Sequence, residues 1–126
     1  MKVLLDAHAL LWALLQPETL KPRCRDLLSG EAEQVCYSPV NLWELAIKRA
    51  KGGLQFDDGV VLQGLEEQEF DELPVTTRHC LEAAALPRLH GDPFDRLLIA
   101  QARVEGLTLI SRDRLFRRYD VPLLEA

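Results

Sequence analysis

Short apolar runs alternate along the chain with longer stretches whose apolar residues recur every three or four positions, the pattern of strands feeding helices. Lys2 to Leu5 is a brief, almost wholly apolar run, as expected of a strand covered on both faces. Ala7 to Leu15 reads as a helix stopped near Pro17, and Leu20 to Leu28 as a second stopped at Gly30. Gln34 to Tyr37 is a second short strand. Ser38-Pro39 then opens a helix, with Ser as N-cap and Pro at the first position, running to about Lys51 and ending at Gly52-Gly53. Val60 to Gln68 predicts a further helix and Glu72 to Val75 a third strand. Thr76 or Thr77 caps a helix through Leu86, closed by Pro87. Asp92-Pro93 repeats the cap-then-Pro start for a helix over Pro93 to Glu105, ended by Gly106. Leu107 to Ser111 is a strand, Arg114 to Arg118 a helical turn and Val121 to Leu124 a last strand.

Strands separated by helices require crossover connections, so the expected fold class is α/β with a mostly parallel sheet covered on both faces. Ligands of such sheets bind beyond the carboxyl ends of the strands. The 126 residues fit one domain, residues 1–126, large enough to bury roughly two-thirds of the unfolded surface without disulfide or structural metal. There is no internal repeat, low-complexity tract or Gly/Ser linker.

Composition narrows the class. At 48% hydrophobic and 28% charged, the chain is globular. Its longest apolar run, Ala9 to Leu15, falls far short of the roughly 20 residues of a membrane helix, and the amino terminus reads as a strand start, not a secretory signal. Three cysteines, Cys24, Cys36 and Cys80, without CxxC spacing, read as reduced, mostly core thiols of a cytoplasmic protein. The net charge of −5, from 15 Lys+Arg against 20 Asp+Glu, excludes a generally basic surface but not a local basic stripe.

The informative chemistry is acidic. Asp6 directly follows the first strand, where it is equally an N-cap or a functional carboxylate. Glu44 lies in a helix whose apolar stripe reads Val40, Trp43, Ile47 and Ala50; it either borders the buried face or stands exposed and pairs with Lys48. Asp92 is well placed as an N-cap and Asp95 as the third residue of the same first turn, on a side shared with Ile99 and Ala102. Asp113, just past a strand, also suits a cap. Gathered at one sheet edge, unpaired carboxylates repel one another and resist desolvation. A hard divalent cation resolves that conflict, and phosphodiester hydrolysis is the chemistry most often assigned to such a cluster.

Four blocks, LLDAHALLWAL, SPVNLWELAIK, HGDPFDRLLIAQA and LTLISRD followed by F-x-x-Y-x-V, together resemble the PIN-domain family, specifically the VapC-type toxins of bacterial type II toxin–antitoxin pairs. The resemblance covers nearly the whole chain in the family's order and spacing. It implies a three-layer α/β/α fold and a Mg²⁺-dependent endoribonuclease, with Mn²⁺ substituting, that leaves a 5′-phosphate and a 3′-hydroxyl. The family's acidic quartet maps onto Asp6, Glu44, Asp95 and Asp113, with Asp6 and Asp95 as main metal ligands and Glu44 and Asp113 completing the site. Asp92 keeps its capping role, and Ser111 matches a supporting hydroxyl that holds a metal-bound water. Ala7 departs from the family's frequent Thr or Ser. A VapB-like antitoxin seated in an apolar groove over the site, and assembly as a homodimer or toxin–antitoxin hetero-oligomer, are implied as well.

RNA binding requires positive charge near the acids. Lys48, Arg49 and Lys51 end the Glu44 helix, while Arg112, Arg114, Arg117 and Arg118 surround Asp113, so a basic rim is expected; Arg96 is placed to pair with a carboxylate of the same edge. His8 reads as a packed or hydrogen-bonding residue more than a ligand, His90 as a loop residue and His79 as a helix-surface one. The crowded Leu10, Leu11, Leu14 and Leu15 indicate either packing on both sides or a partner groove. Two rivals remain. A haloacid-dehalogenase-like phosphatase requires a second Asp two residues after Asp6, where this chain has His8. A PIN fold that binds a partner without catalysis has no need of all four carboxylates.

Overall fold

The computed structural model describes residues 1–126. The strands are β1 (Lys2–Leu5), β2 (Gln34–Tyr37), β3 (Asp71–Glu72), β4 (Thr108–Ser111) and β5 (Leu123–Glu125). The helices are α1 (Ala7–Leu15), α2 (Pro22–Asp26), α3 (Pro39–Ala50), α4 (Asp58–Glu67), α5 (Thr77–Ala85) and α6 (Pro93–Glu105). All strand pairs are parallel, in the order β3-β2-β1-β4-β5.

Alternation along β1 divides the interior into two cores. Val3 and Leu5, with Ile110 of β4, face a cluster built with Leu10 and Ala13 of α1, Cys24 of α2 and Val61 and Leu65 of α4. Leu4 and Leu109 face the opposite cluster, with Leu98, Ile99 and Ala102 of α6 and Leu86 after α5. The sheet is therefore the middle of three layers, the expected α/β/α arrangement, and Val3–Leu5 of β1 and Leu109–Ile110 of β4 are apolar in succession because neither face meets water there. No helix is long and apolar enough to cross a membrane.

Several boundaries differ from the sequence expectation, each for a local reason. The expected helix over Leu20 to Leu28 is shorter: Lys21 precedes Pro22 and is held extended (ψ 148°), so α2 starts at Pro22, and a wider turn over Leu27–Glu31 closes on Gly30 at φ 133°. The third strand is only Asp71–Glu72. Leu73 still donates its N–H to the Tyr37 carbonyl at 2.8 Å, but Pro74 has no N–H with which to continue. The last strand begins at Leu123 instead of Val121, and α4 begins earlier than expected because Asp57 caps it through the Val60 N–H. Thr76, not Thr77, caps α5.

His79 is a correction: it is buried, not on the helix surface. Its Nδ1 accepts from the Thr76 N–H at 3.0 Å, and its Nε2 meets Glu105 Oε1 at 3.1 Å, so it ties α5 to the end of α6. Cys24 and Cys36 are buried and Cys80 is exposed, all as free thiols.

Arg96 pairs with no carboxylate, contrary to expectation. Its guanidinium donates to the carbonyls of Ala83, Leu86 and Pro87 at 2.9, 3.0 and 2.8 Å, and to the Tyr119 hydroxyl at 3.4 Å. It thus closes the open carbonyl end of α5 and pins that end to the start of α6, where a cation also suits the helix dipole. Because several charge-assisted hydrogen bonds are lost together, Arg96→Ala is expected to destabilise the protein by about 2–3 kcal/mol in urea unfolding. A loss below about 0.5 kcal/mol would contradict this role for the guanidinium.

Candidate metal centre

Asp6 is the first residue past β1. Its N–H donates to the Ile110 carbonyl at 3.0 Å, joining the carboxyl ends of β1 and β4, and its Oδ1 caps α1 by accepting from the Ala9 N–H at 2.8 Å. The chain leaves β1 toward β2 on one side, while β4 pairs on the other, so Asp6 stands at the switch point of the sheet, where open α/β folds form their crevices. Ser111, at the end of β4, accepts from the Asp113 N–H at 3.0 Å, and its hydroxyl acts to lower the raised Asp6 carboxyl. Asp113 Oδ1 caps the following turn through the Leu115 N–H at 2.9 Å.

Glu44 is only 7% exposed, and its Oε2 lies 3.2 Å from Lys48 Nζ. Burial and the Lys48 pair, two readings set against each other in the sequence, are both present. The predicted stripe is not the buried face of α3: Asn41, Glu44 and Leu45 turn inward, and Trp43 is 63% exposed, edge-on to Phe94 at 5.4 Å. Ser38 opens α3, but Asn41 supplies the side-chain contact, its Oδ1 accepting from the Ser38 N–H at 3.2 Å; the Ser38 hydroxyl has no partner in the chain.

At the start of α6, Asp92 caps through the Phe94 and Asp95 N–H groups at 2.8 and 3.3 Å. One ligand oxygen each from Glu44, Asp92 and Asp95 lie within 4.8 Å of one another, and so do ligand atoms of His90, Asp95 and Asp113. Asp95 is common to both groups. Its Oδ2 is 2.7 Å from His90 Nε2.

Asp6, Glu44, Asp92, Asp95 and Asp113 line one cleft of about 350 Å³, with Lys48 and Arg112 its cations and exposed His8 on its wall, the His8 ring 5.8 Å from that of Trp12. All four acids singled out in the sequence share this cleft. Asp92 was read only as a cap, yet it also brings a carboxylate to the cluster; its i,i+3 spacing to Asp95 within one helical turn was the signal. His90, read as a loop residue, contacts Asp95, and nothing in the spacing alone marks it.

The expected basic residues divide. Lys48 faces the cleft. Arg112 lines it, but its guanidinium donates to the carbonyls of Thr19 at 2.7 Å and Ala126 at 2.9 Å and lies 4.4 Å over the Trp12 ring. Arg49 turns away to Asp58 at 2.6 Å and to the Phe56 ring. Lys51 and Arg114 are exposed.

Burial is the first cause of the electrostatic strain. It raises the Asp6 carboxyl above its usual range, helped by the Glu44 charge and opposed by the Ser111 and Ala9 hydrogen bonds. Burial likewise pushes Asp95 up to about 6; the hydrogen bond from His90 opposes this, and the charges of Asp92 and Glu44 add to it. Five carboxylates against two cations, one of them engaged elsewhere, form a hard oxygen donor set with negative charge in excess, which fits a divalent cation such as Mg²⁺.

The family pattern of the PIN domain matches residues 3–122. The chain belongs to the PIN domain family. Ribonuclease VapC22 of Mycobacterium tuberculosis is 30% identical over 123 residues, covering 95% of this PIN domain and 93% of that protein. Among solved structures, VapBC2 from Rickettsia felis bound to a DNA fragment from their promoter aligns with a TM-score of 0.74 at 14% identity, over 100% of this chain and 99% of that one. FitAcB from Neisseria gonorrhoeae aligns at 0.65 and 22% identity, over 97% and 96%. These structural likenesses show that the PIN domain has the fold of those chains.

The raised carboxyls set a pH dependence for the metal-free PIN domain. Between about pH 4 and 6 Asp95 holds more of its proton in the folded state than in the unfolded chain, so its contribution to stability is greatest at the acid side of this window and falls as pH rises through it. For Asp95 the loss is on the order of 2 kcal/mol. Asp95→Asn is expected to be more stable than the parent in EDTA at pH 7, with the gap closing toward pH 4, as read by thermal melts across pH. A gap that widens toward pH 4 would reverse the argument.

Proposed function

We propose that this PIN domain is a divalent-metal-dependent endoribonuclease, the toxin half of a VapBC-type pair. The observation that carries the reading is the meeting of Asp6, Glu44, Asp92, Asp95 and Asp113 in one cleft at the switch point of the sheet. Asp95, shared by both ligand groups, is the central ligand for Mg²⁺, or Mn²⁺ in its place. Glu44, Asp92 and Asp6 stand with it, and Asp113 completes the set from the β4 side. When bound, such an ion lowers the pKa of water and neutralises charge on a phosphodiester undergoing in-line displacement.

The protein's own groups supply the rest. The Asp6 and Glu44 carboxylates are held nearly dry, so their orientation is fixed before substrate arrives. Ser111 holds the Asp113 backbone and is the hydroxyl placed to hold water beside these acids. Lys48 offers the one flexible ammonium in the cleft for an RNA phosphate, with Lys51 and Arg114 exposed beyond it.

An antitoxin partner is supported by the toxin–antitoxin complexes of the same fold and by a groove lined by Leu11, Trp12, Leu15 and Leu54. That groove shares His8 and Trp12 with the acidic cleft, so a partner segment seated there reaches the site.

Asp6→Asn keeps an N-cap, and Asp95→Asn keeps a hydrogen-bonding amide, so both variants are expected to fold. Each is expected to lose more than about 100-fold of Mg²⁺- or Mn²⁺-dependent cleavage of cellular RNA. EDTA is expected to stop the wild type and added Mg²⁺ to restore it. Undiminished cleavage by both variants would remove the mechanism.

A further inference from the structure

On the other side of His90 from the acidic cleft lies a second cleft of about 500 Å³, between the end of α5 and the start of α6. Arg88, Arg96 and His90 line it with the small residues Ala83, Ala84 and Gly91, and no carboxylate does. That is unusual ground in a chain of net charge −5. Arg96 spends its donors on neutral carbonyls and a tyrosine hydroxyl, so its charge meets no counter-ion. Arg88 is exposed and makes no hydrogen bond or ion pair within the chain.

A polyanion reaching the acidic cleft requires positive charge alongside it, and of the cations expected there Arg49 is neutralised by Asp58, while Arg112, its donors committed to the Thr19 and Ala126 carbonyls, offers only its field. The second cleft supplies such charge and adjoins the first, because His90 lines it while touching Asp95 at 2.7 Å. Its small side chains leave the floor open to a sugar–phosphate backbone.

We propose that this cleft is a substrate subsite that holds the RNA backbone beside the scissile bond, with Arg88 contacting a flanking phosphate. The proposal rests on the ribonuclease reading above. Arg96 contributes its field from a fixed position and is structural, so Arg88 is the residue to test.

The experiment measures binding of fluorescein-labelled oligouridine and oligoadenosine to the Asp6→Asn protein in Mg²⁺, by anisotropy across a salt series. Adding Arg88→Glu is expected to weaken binding about tenfold or more at low salt, and to make the slope of log affinity against log salt shallower by about 0.7, one single-strand phosphate contact. Arg88→Lys is expected to keep most of the affinity. Lys2→Glu, the same charge change at the amino end of β1, is expected to leave it unchanged. In the otherwise wild-type enzyme, Arg88→Ala is expected to raise KM with kcat retained. Equal weakening by Arg88→Glu and Lys2→Glu, or a fall in kcat at constant KM, would overturn the subsite while leaving the ribonuclease intact. An Asp6→Asn protein that binds neither oligonucleotide, together with a wild type that cleaves no RNA, would remove both.

Discussion

Like charge gathered in a poorly hydrated place is the constraint around which this molecule is arranged. Five carboxylates converge on one cleft, two of them nearly dry, and the strain shows in the raised Asp6 and Asp95 carboxyls. A protein selected for stability alone would have no reason to assemble them. Their presence argues for a ligand that supplies compensating charge, and a hard dication is the species whose preferences match an all-carboxylate set.

The fold makes that convergence tolerable through helix ends. Asp6, Asp92 and Asp113 each cap a helical segment, accepting from the N–H groups of Ala9, of Phe94 and Asp95, and of Leu115. Three helical starts therefore present their partial positive charge toward the same cleft, and each cap satisfies one carboxylate oxygen while the side chain still reaches the cleft. Capping and a place in the acidic cleft are not competing explanations for these residues; the cap is what fixes the carboxylate there. Glu44 differs, being placed by the middle of α3 and steadied by Lys48.

Positive charge is distributed by a similar logic. Arginines near the site are largely framework: Arg96 closes α5, Arg112 fastens the chain's end to the segment after α1, and Arg49 binds the start of α4. Each has its donors matched to carbonyls or a carboxylate, which rigidifies the elements that carry the acids. Lys51, Arg88, Arg114, Arg117 and Arg118 make no such pairing, and with Lys48 in the cleft they are available to an incoming polyanion.

Much of this was legible along the chain. The β1, β2 and β4 runs, the Pro-led starts of α3 and α6 and the Gly106 stop (φ 69°) are local signals, set by burial on two faces, by proline's missing N–H and by glycine's freedom at positive φ, and they hold in the structure. The four acids singled out along the chain also come to line one cleft. What went unread was decided across space. Which face of α3 turns inward depends on α1 and α6, so Asn41 and Glu44 are buried and Trp43 is not. His79 looked exposed because its partner, Glu105, lies a helix away; Asp92 and Asp95 met Glu44 only once α6 was laid beside α3, and His90 met Asp113 only once the segment before α6 was laid beside the end of β4. Periodicity and caps are properties of neighbours in sequence, and so a single chain reveals them. The pairing of charges between distant elements follows from how the layers pack, and only the tertiary structure decides it.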